Sequence, residues 1–498
     1  MRDAMRMQRA KRVFIGAWLL LCMLKLVLAA RLPLFVDEAF YWQEGRHLAW
    51  AYSDLPGLTA WLARLGVAVG GDHPLALRLP FLLLGAWMPW LVVRMTAREF
   101  GVEAGWRAGL LVLLMPLAGT TGVLALPDVP LLLASVLCLD AGLRALRRVD
   151  GWVAGELAMG LVLGGLAHYR FAAVIVVGAL ALLALREGRR ALRAPWLWLA
   201  ISVGALAWLP LLWWNLQHAD AGLRFQLIDR HPWQFSGVGL RLGLLQWGLV
   251  TPLLFLALAL AAWRGLRDAR PAARWLALCG SAIVLGFFVL GFFADRQRVS
   301  FHWPLPGFLA LLPLVPGVLG GRRGWRWAVQ ASTAAGLLLA LGYLLLAAQP
   351  AWRQRLAGSA LYPGNFAGWG MLGDAVTQRL LRMPVRTQLV AGDFKIGAEL
   401  GFVLGQPDVP VLDHPLNARH GRAVQLQAWG LVRSDRAALG RGPLLLVVSP
   451  SHAGFADPQA YQRQLRAQLG ALPPPQRLQV DGGGKVFLLY AIPAQSLP

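Results

Sequence analysis

Apolar residues run along this chain in long unbroken blocks rather than in the stripes of a soluble helix. Residues 108–127, 194–217, 242–263, 275–294, 299–321 and 327–352 contain no Asp, Glu, Lys or Arg. Each meets the roughly 20 mostly apolar residues that carry a helix across a bilayer. Shorter runs near 13–30, 79–93 and 129–143 predict further spans, and 152–186 predicts two short helices in a hairpin turning at His168-Tyr169-Arg170. Together these runs predict about 11 transmembrane helices. Past residue 350, Pro and Gly punctuate short apolar runs. There 385–391, 409–412, 443–448 and 486–492 read as strands, and 391–404 and 458–469 as helices. The expected architecture is a polytopic all-α membrane module over residues 1–349, followed by a soluble α/β domain over residues 350–498.

Composition agrees with the pattern. The 498 residues are 57% hydrophobic and only 15% charged, which excludes an ordinary soluble domain, where about 25% are charged, and equally excludes disorder. The net charge of +23 would suit a nucleic-acid partner, but its distribution argues against one. Arginines cluster at 2–12, 94–107, 144–148, 186–193, 264–274 and 322–326, at every second loop. Such clusters mark cytoplasmic loops, so the N-terminus is expected in the cytoplasm and the tail outside, as an odd span count requires. The external loops are then about 31–78, 127–129, 168–170, 215–241 and 295–301. A cleaved leader ending near Val27-Leu28-Ala29 is the rival reading of the N-terminus, and Lys25 inside the apolar segment argues against it. Cys22, Cys138 and Cys279 sit in apolar runs with no metal-type spacing and read as small core residues. Tryptophans near span ends, including Trp42, Trp50, Trp213, Trp214, Trp233 and Trp303, read mainly as interfacial belts.

Acids outside the arginine loops need a reason at membrane depth. Asp37 and Glu38 follow the first span within a few residues. A carboxylate there can serve as a general base or bind a cation, or it can cap a helix over 39–50; spacing alone leaves these open.

The segment Asp37-Glu38-Ala39-Phe40-Tyr41-Trp42, followed by Tyr52-Ser53-Asp54-Leu55-Pro56-Gly57, resembles the first-loop signature of the GT-C glycosyltransferases. It is most similar to bacterial relatives of the protein O-mannosyltransferases and of the lipid A aminoarabinose transferase. Leu126-Pro127-Asp128-Val129-Pro130 resembles the family's second acidic loop, and Gly164 to Arg170 its short-helix hairpin. Phe301-His302-Trp303-Pro304 resembles a later motif, and the tail an appended external domain. The resemblance covers about residues 10–350 and falls on matching sides of the topology derived above. It implies an inverting glycosyltransferase of the bacterial inner membrane, moving a sugar from a polyprenyl-phosphate donor to a lipid, glycan or protein acceptor at the periplasmic face. By the resemblance Asp37 matches the general base and Asp128 the second acidic position, with Glu38 and Tyr52 in support.

A phosphate leaving group needs cationic stabilisation. The chain has only four lysines, Lys11, Lys25, Lys395 and Lys485, none in an external membrane loop. Where the family often carries Lys or His, in the segment matching Ser53–Pro56, this chain has Leu55. Arginine and histidine must take that role, and Arg230, His231, Arg296, Arg298 and His302 are the candidates, with Arg170 further off. No cofactor is implied with certainty; a divalent metal held by Asp54 with His231 or His302 is an open alternative. The acids at 37 and 128 are expected to converge with these cations in one outer-leaflet pocket. Two other classes stay open: a lipid or small-molecule transporter or flippase, and a non-catalytic subunit with a GT-C fold.

Overall fold

The computed structural model describes residues 2–229, 233–293, 301–452 and 458–495. The chain divides into two compact units, one of Met1–Ala29, Leu55–Thr59 and Arg78–Gly342, the other of Ala30–Asp54, Ala60–Leu77 and Tyr343–Pro498.

The first unit is helical. Among the described residues five helices are long and apolar enough to cross a bilayer: Ala4–Arg31, Pro74–Phe100, Pro195–Gln217, Pro271–Gly291 and Arg323–Ala348. A sixth candidate is the pair Gly239–Val250 and Pro252–Leu266, bent by 105°. Shorter apolar helices account for other hydropathic runs, so the expected count of about 11 full spans is not reproduced. Proline explains much of the difference. It lacks an N–H and interrupts the helix ladder while leaving hydropathy high. The run 108–127 thus breaks at Met115, before Pro116, and the run 242–263 breaks at Thr251, before Pro252. Thr251 sits at φ 73°, a costly conformation for a β-branched residue. The hairpin expected over 152–186 forms as Gly151–Ala167 and Phe171–Ala184, parted at His168 in extended conformation.

Several charges inside this unit are paired. Lys25 donates to the Thr121 carbonyl, and Arg78 Nη1 donates to the Ala29 carbonyl at 2.8 Å. Arg94 bonds Glu156 at 2.7 Å and Asp140 at 3.0 Å, Arg98 bonds Asp140, and Arg144 bonds Glu156 at 2.7 Å. This network ties the helices Pro74–Phe100, Asp128–Ala145 and Gly151–Ala167. The arginines that mark sidedness in the sequence therefore also hold helices together.

In the second unit the tail forms a six-stranded sheet of β1 (Gln388–Ala391), β2 (Val411–Leu412), β3 (Val432–Arg433), β4 (Leu444–Val448), β5 (Gln476–Val480) and β6 (Lys485–Ile492). The order is β3-β2-β1-β4-β6-β5, with β1 to β4 parallel and β6 antiparallel to both β4 and β5. Central β4 is buried at all five positions, as a strand covered on both faces must be. Helix Phe394–Leu404 follows β1 and is capped by the Asp393 carboxylate, which accepts from the Lys395 and Ile396 N–H groups.

The first-loop helix also belongs to this unit and spans Val36–Arg46, displaced from the expected 39–50. It starts early because the Glu38 carboxylate accepts the Phe35 N–H at 2.9 Å. It stops early because the buried Tyr52 hydroxyl sits at its end, near the carbonyls of Glu44 at 2.9 Å and His47 at 3.2 Å. Its apolar face packs on the tail through Phe40 against Phe394 and Trp42 against Phe402, with ring centroids 5.7 and 5.4 Å apart. Gln43 Nε2 donates to the Pro407 carbonyl at 2.6 Å.

Asp140→Ala leaves Arg94 and Arg98 without their shared buried partner. It is expected to destabilise the protein by about 3 kcal/mol. Arg107→Ala, which breaks only a half-exposed i,i+4 pair with Glu103, should cost about 0.5 kcal/mol or less. Unfolding in detergent, followed by tryptophan fluorescence, compares the two.

Candidate active site

Asp37, Tyr41 and Glu44 stand at i, i+4 and i+7 on the first-loop helix and so share one face. That face meets Arg422. The turn before Arg422 passes through Gly421 at φ 75°, a left-handed position suited to glycine. Ser53 pins both sides of it, its hydroxyl donating to the Gly421 carbonyl at 2.5 Å and its N–H to Gln425 Oε1 at 3.1 Å. Arg422 Nη1 lies 2.6 Å from Asp54 Oδ2 and 3.4 Å from Glu44 Oε1, while Nη2 lies 3.5 Å from Asp37 Oδ1. The guanidinium also rests 4.1 Å over the Phe40 ring.

Three carboxylates face one guanidinium, and two of them are buried. Burial pushes the Glu44 carboxyl well above the usual carboxylate range, and neighbouring Asp54 pushes it further. Burial also raises Asp54, opposed by the charge of Arg422. Burial opposes the Arg422 charge as well, but Asp54, Tyr41, Glu44 and Asp37 outweigh it and strengthen its hold on the proton. Burial and Asp54 thus favour the protonated form of Glu44, while Arg422 favours the ionised form of Asp54. Asp37 is the member solvent reaches, with its side chain 32% exposed. It is neither the helix cap, which is Phe35, nor sealed in the cluster.

A second cluster lies in the first unit. Asp128 opens the helix Asp128–Ala145, and its side chain does not cap that helix. Instead Asp128 Oδ1 accepts from Arg170 Nη2 at 2.8 Å and lies 3.3 Å from His302 Nε2. Arg170 stands 5.2 Å over the Trp303 ring, and its backbone N–H donates to His168 Nδ1 at 3.0 Å. The break that places Arg170 depends on Gly164, because a Cβ there would lie 2.3 Å from the Phe171 ring. A small pocket lined by Asp128, Arg170, His302 and Trp303 also touches Val174 and Pro306. The same two residues line a larger apolar cavity of about 590 Å³.

Of the residues expected from sequence, Asp37 and Asp54 thus meet at Arg422, and Asp128, Arg170 and His302 meet each other. Glu38 and Tyr52 shape the two ends of the first-loop helix. Asp54, one side of the suggested metal pair, is engaged by Arg422. Arg230, His231, Arg296 and Arg298 lie outside the described residues. Sequence reasoning missed Glu44, Tyr41, His168 and Arg422. The helical spacing from Asp37 could have found Tyr41 and Glu44; nothing local marks Arg422.

This is a multi-pass membrane protein with the GT-C glycosyltransferase fold. It superposes on ArnT of Cupriavidus metallidurans in the apo state with a TM-score of 0.66 at 18% identity, over 96% of this chain and 97% of that one. The same enzyme bound to undecaprenyl phosphate matches equally, with a TM-score of 0.66 at 17% identity over the same shares. Residues 54–214 match the family described as dolichyl-phosphate-mannose-protein mannosyltransferase. The chain is also similar to the lipid A galacturonosyltransferase RgtD of Rhizobium johnstonii, 33% identical over 242 residues, 47% of this chain and 50% of that protein. It spans about half the length of this curated relative.

Glu44→Gln keeps a hydrogen-bond donor toward Asp54 and should change stability by about 1 kcal/mol or less. Asp54→Asn removes the counter-charge of buried Arg422 and should cost about 3 kcal/mol. A carboxyl raised in the folded state binds its proton where the unfolded chain has lost it. Stability is therefore expected to fall as pH rises above about 4.3 toward the raised value. Glu44→Gln should flatten that decline in thermal unfolding midpoints measured from pH 5 to 8.

Proposed function

We propose that this protein is an inverting glycosyltransferase that moves a sugar from a polyprenyl phosphate to a hydroxyl of a lipid acceptor. The observation that carries this reading is the apolar cavity of about 590 Å³ that shares Val174 and Pro306 with the pocket of Arg170 and His302. An isoprenoid chain needs the first surface and its phosphate the second, where the arginine fork matches phosphate oxygens. Asp128 then orients both cations. Asp37, the accessible carboxylate of its cluster, takes the proton from the acceptor hydroxyl as that oxygen bonds to the anomeric carbon. The bond from that carbon to the phosphate oxygen breaks, and polyprenyl phosphate leaves.

The fold shared with ArnT, which has been captured with undecaprenyl phosphate, supports the donor class. Similarity to a lipid A galacturonosyltransferase supports a lipid acceptor and makes a hexuronosyl donor the first to test. The arginine clusters support an inner-membrane protein with a cytoplasmic N-terminus and a periplasmic domain over residues 350–498.

Purified protein given radiolabelled galacturonosyl polyprenyl phosphate is expected to release polyprenyl phosphate only when lipid A acceptor is added. Asp37→Asn should slow this release by about 10²-fold or more while donor binding persists. Arg170→Gln should instead weaken donor binding by about tenfold, the loss of one charge-assisted contact. Wild-type turnover in Asp37→Asn removes that residue from the chemistry. Labelled donor crossing a vesicle unmodified points to a flippase.

A further inference from the structure

Arg422 lies in the tail, far along the chain from the acids it touches, and the division of labour between its two terminal nitrogens gives it a role of its own. Nη1 serves the buried pair, 2.6 Å from Asp54 and 3.4 Å from Glu44. Nη2 serves the accessible acid, 3.5 Å from Asp37 Oδ1, and is 3.5 Å from the Tyr41 hydroxyl. Both nitrogens belong to one rigid plane, so the position of Asp37 is tied to two buried carboxyls.

The plane itself is fixed. Phe40 and Tyr41 present their rings 4.1 and 5.2 Å from the guanidinium carbon. The turn carrying Arg422 is clamped at Gly421 and Gln425 by Ser53. Trp429, at the end of the short helix that follows, stacks on His47 with ring centroids 4.8 Å apart. His47 in turn lies 2.8 Å from Asp408. Arg422 itself is 3% exposed. A buried cation held from so many sides does more than add charge, because it fixes where a partly exposed carboxylate rests.

We propose that Arg422 is a positioning residue for Asp37, through which the tail domain sets the geometry of the proposed general base. It touches no reacting atom in this scheme. The proposal rests on the assignment of Asp37 as the base. Lysine cannot replace arginine here, since one ammonium cannot reach Asp37 and the buried pair together in a planar fork.

The test uses the full-length protein and the release assay above. Arg422→Ala is expected to lower kcat on the order of 10²-fold, the effect of misplacing a catalytic group, with donor KM changed by about threefold or less. Arg422→Lys should remain well below wild type. Millimolar guanidinium chloride should restore part of the Arg422→Ala rate, and methylammonium chloride should not, a difference a purely structural role would not produce. Unchanged kcat in a folded Arg422→Ala protein overturns the proposal, as does a raised donor KM at constant kcat. Loss of the fold in both variants assigns Arg422 to stability alone and also overturns it. If Asp37→Asn keeps full activity, the assignment of the base has failed. If Asp37→Asn is dead while Arg422→Ala is fully active, only the role of Arg422 has failed.

Discussion

A guanidinium removed from water must have its lost hydration replaced by acceptors around it, and carboxylates removed from water stay ionised only where a cation or hydrogen-bond donors compensate. In the second unit this mutual requirement binds Arg422 to Asp37, Glu44 and Asp54. One positive charge cannot neutralise three negative ones; burial favours the protonated form of Glu44, and Asp37 reaches solvent. The result is a graded set of carboxyls on one cation: one biased toward its protonated form, one paired and one open to solvent. The helix Val36–Arg46, the turn at Gly421 and the anchoring of Ser53 all serve to bring these groups together.

The cluster at Asp128 is smaller. One carboxylate stands with Arg170 and His302, and His168 accepts from Arg170. Its neighbouring cavity is almost wholly apolar, with Phe171, Trp208 and Trp275 in its wall. In the proposed reading, this apolar volume beside an arginine takes an anionic amphiphile. Elsewhere in the first unit, charges such as those of Asp140 and Glu156 are spent on arginines and leave little for a ligand.

What the sequence made legible follows from the range of the forces involved. Hydropathy marks apolar segments, but Pro116 and Pro252 leave it high while breaking helices, so an apolar run is not always one long helix among the described residues. The break at His168 to Arg170 was visible because polar residues interrupt an apolar run there. Buried strands β1, β4 and β6 stood out as apolar runs, whereas β5, polar at Gln476, Arg477 and Gln479, is an edge strand with no such signature. Asp37 and Asp128 stood out because lone acids near membrane depth are costly. Arg422 did not, being one arginine among many in a polar tail. Its partners are fixed by the folding of the chain and by no spacing within it.

The packing of the first-loop helix on the tail has a consequence for biosynthesis. Glu44 and Arg422 are separated by 378 residues. At synthesis rates of about 5–20 residues per second, that gap corresponds to roughly 20–75 s. For most of this interval Phe40 and Trp42 have been made while Phe394, Phe402 and Trp429, the aromatic surfaces they finally cover, do not yet exist. Maturation of the acid cluster is thus a late event on the ribosome's clock, and a chain released before the tail is made leaves the first loop without its arginine.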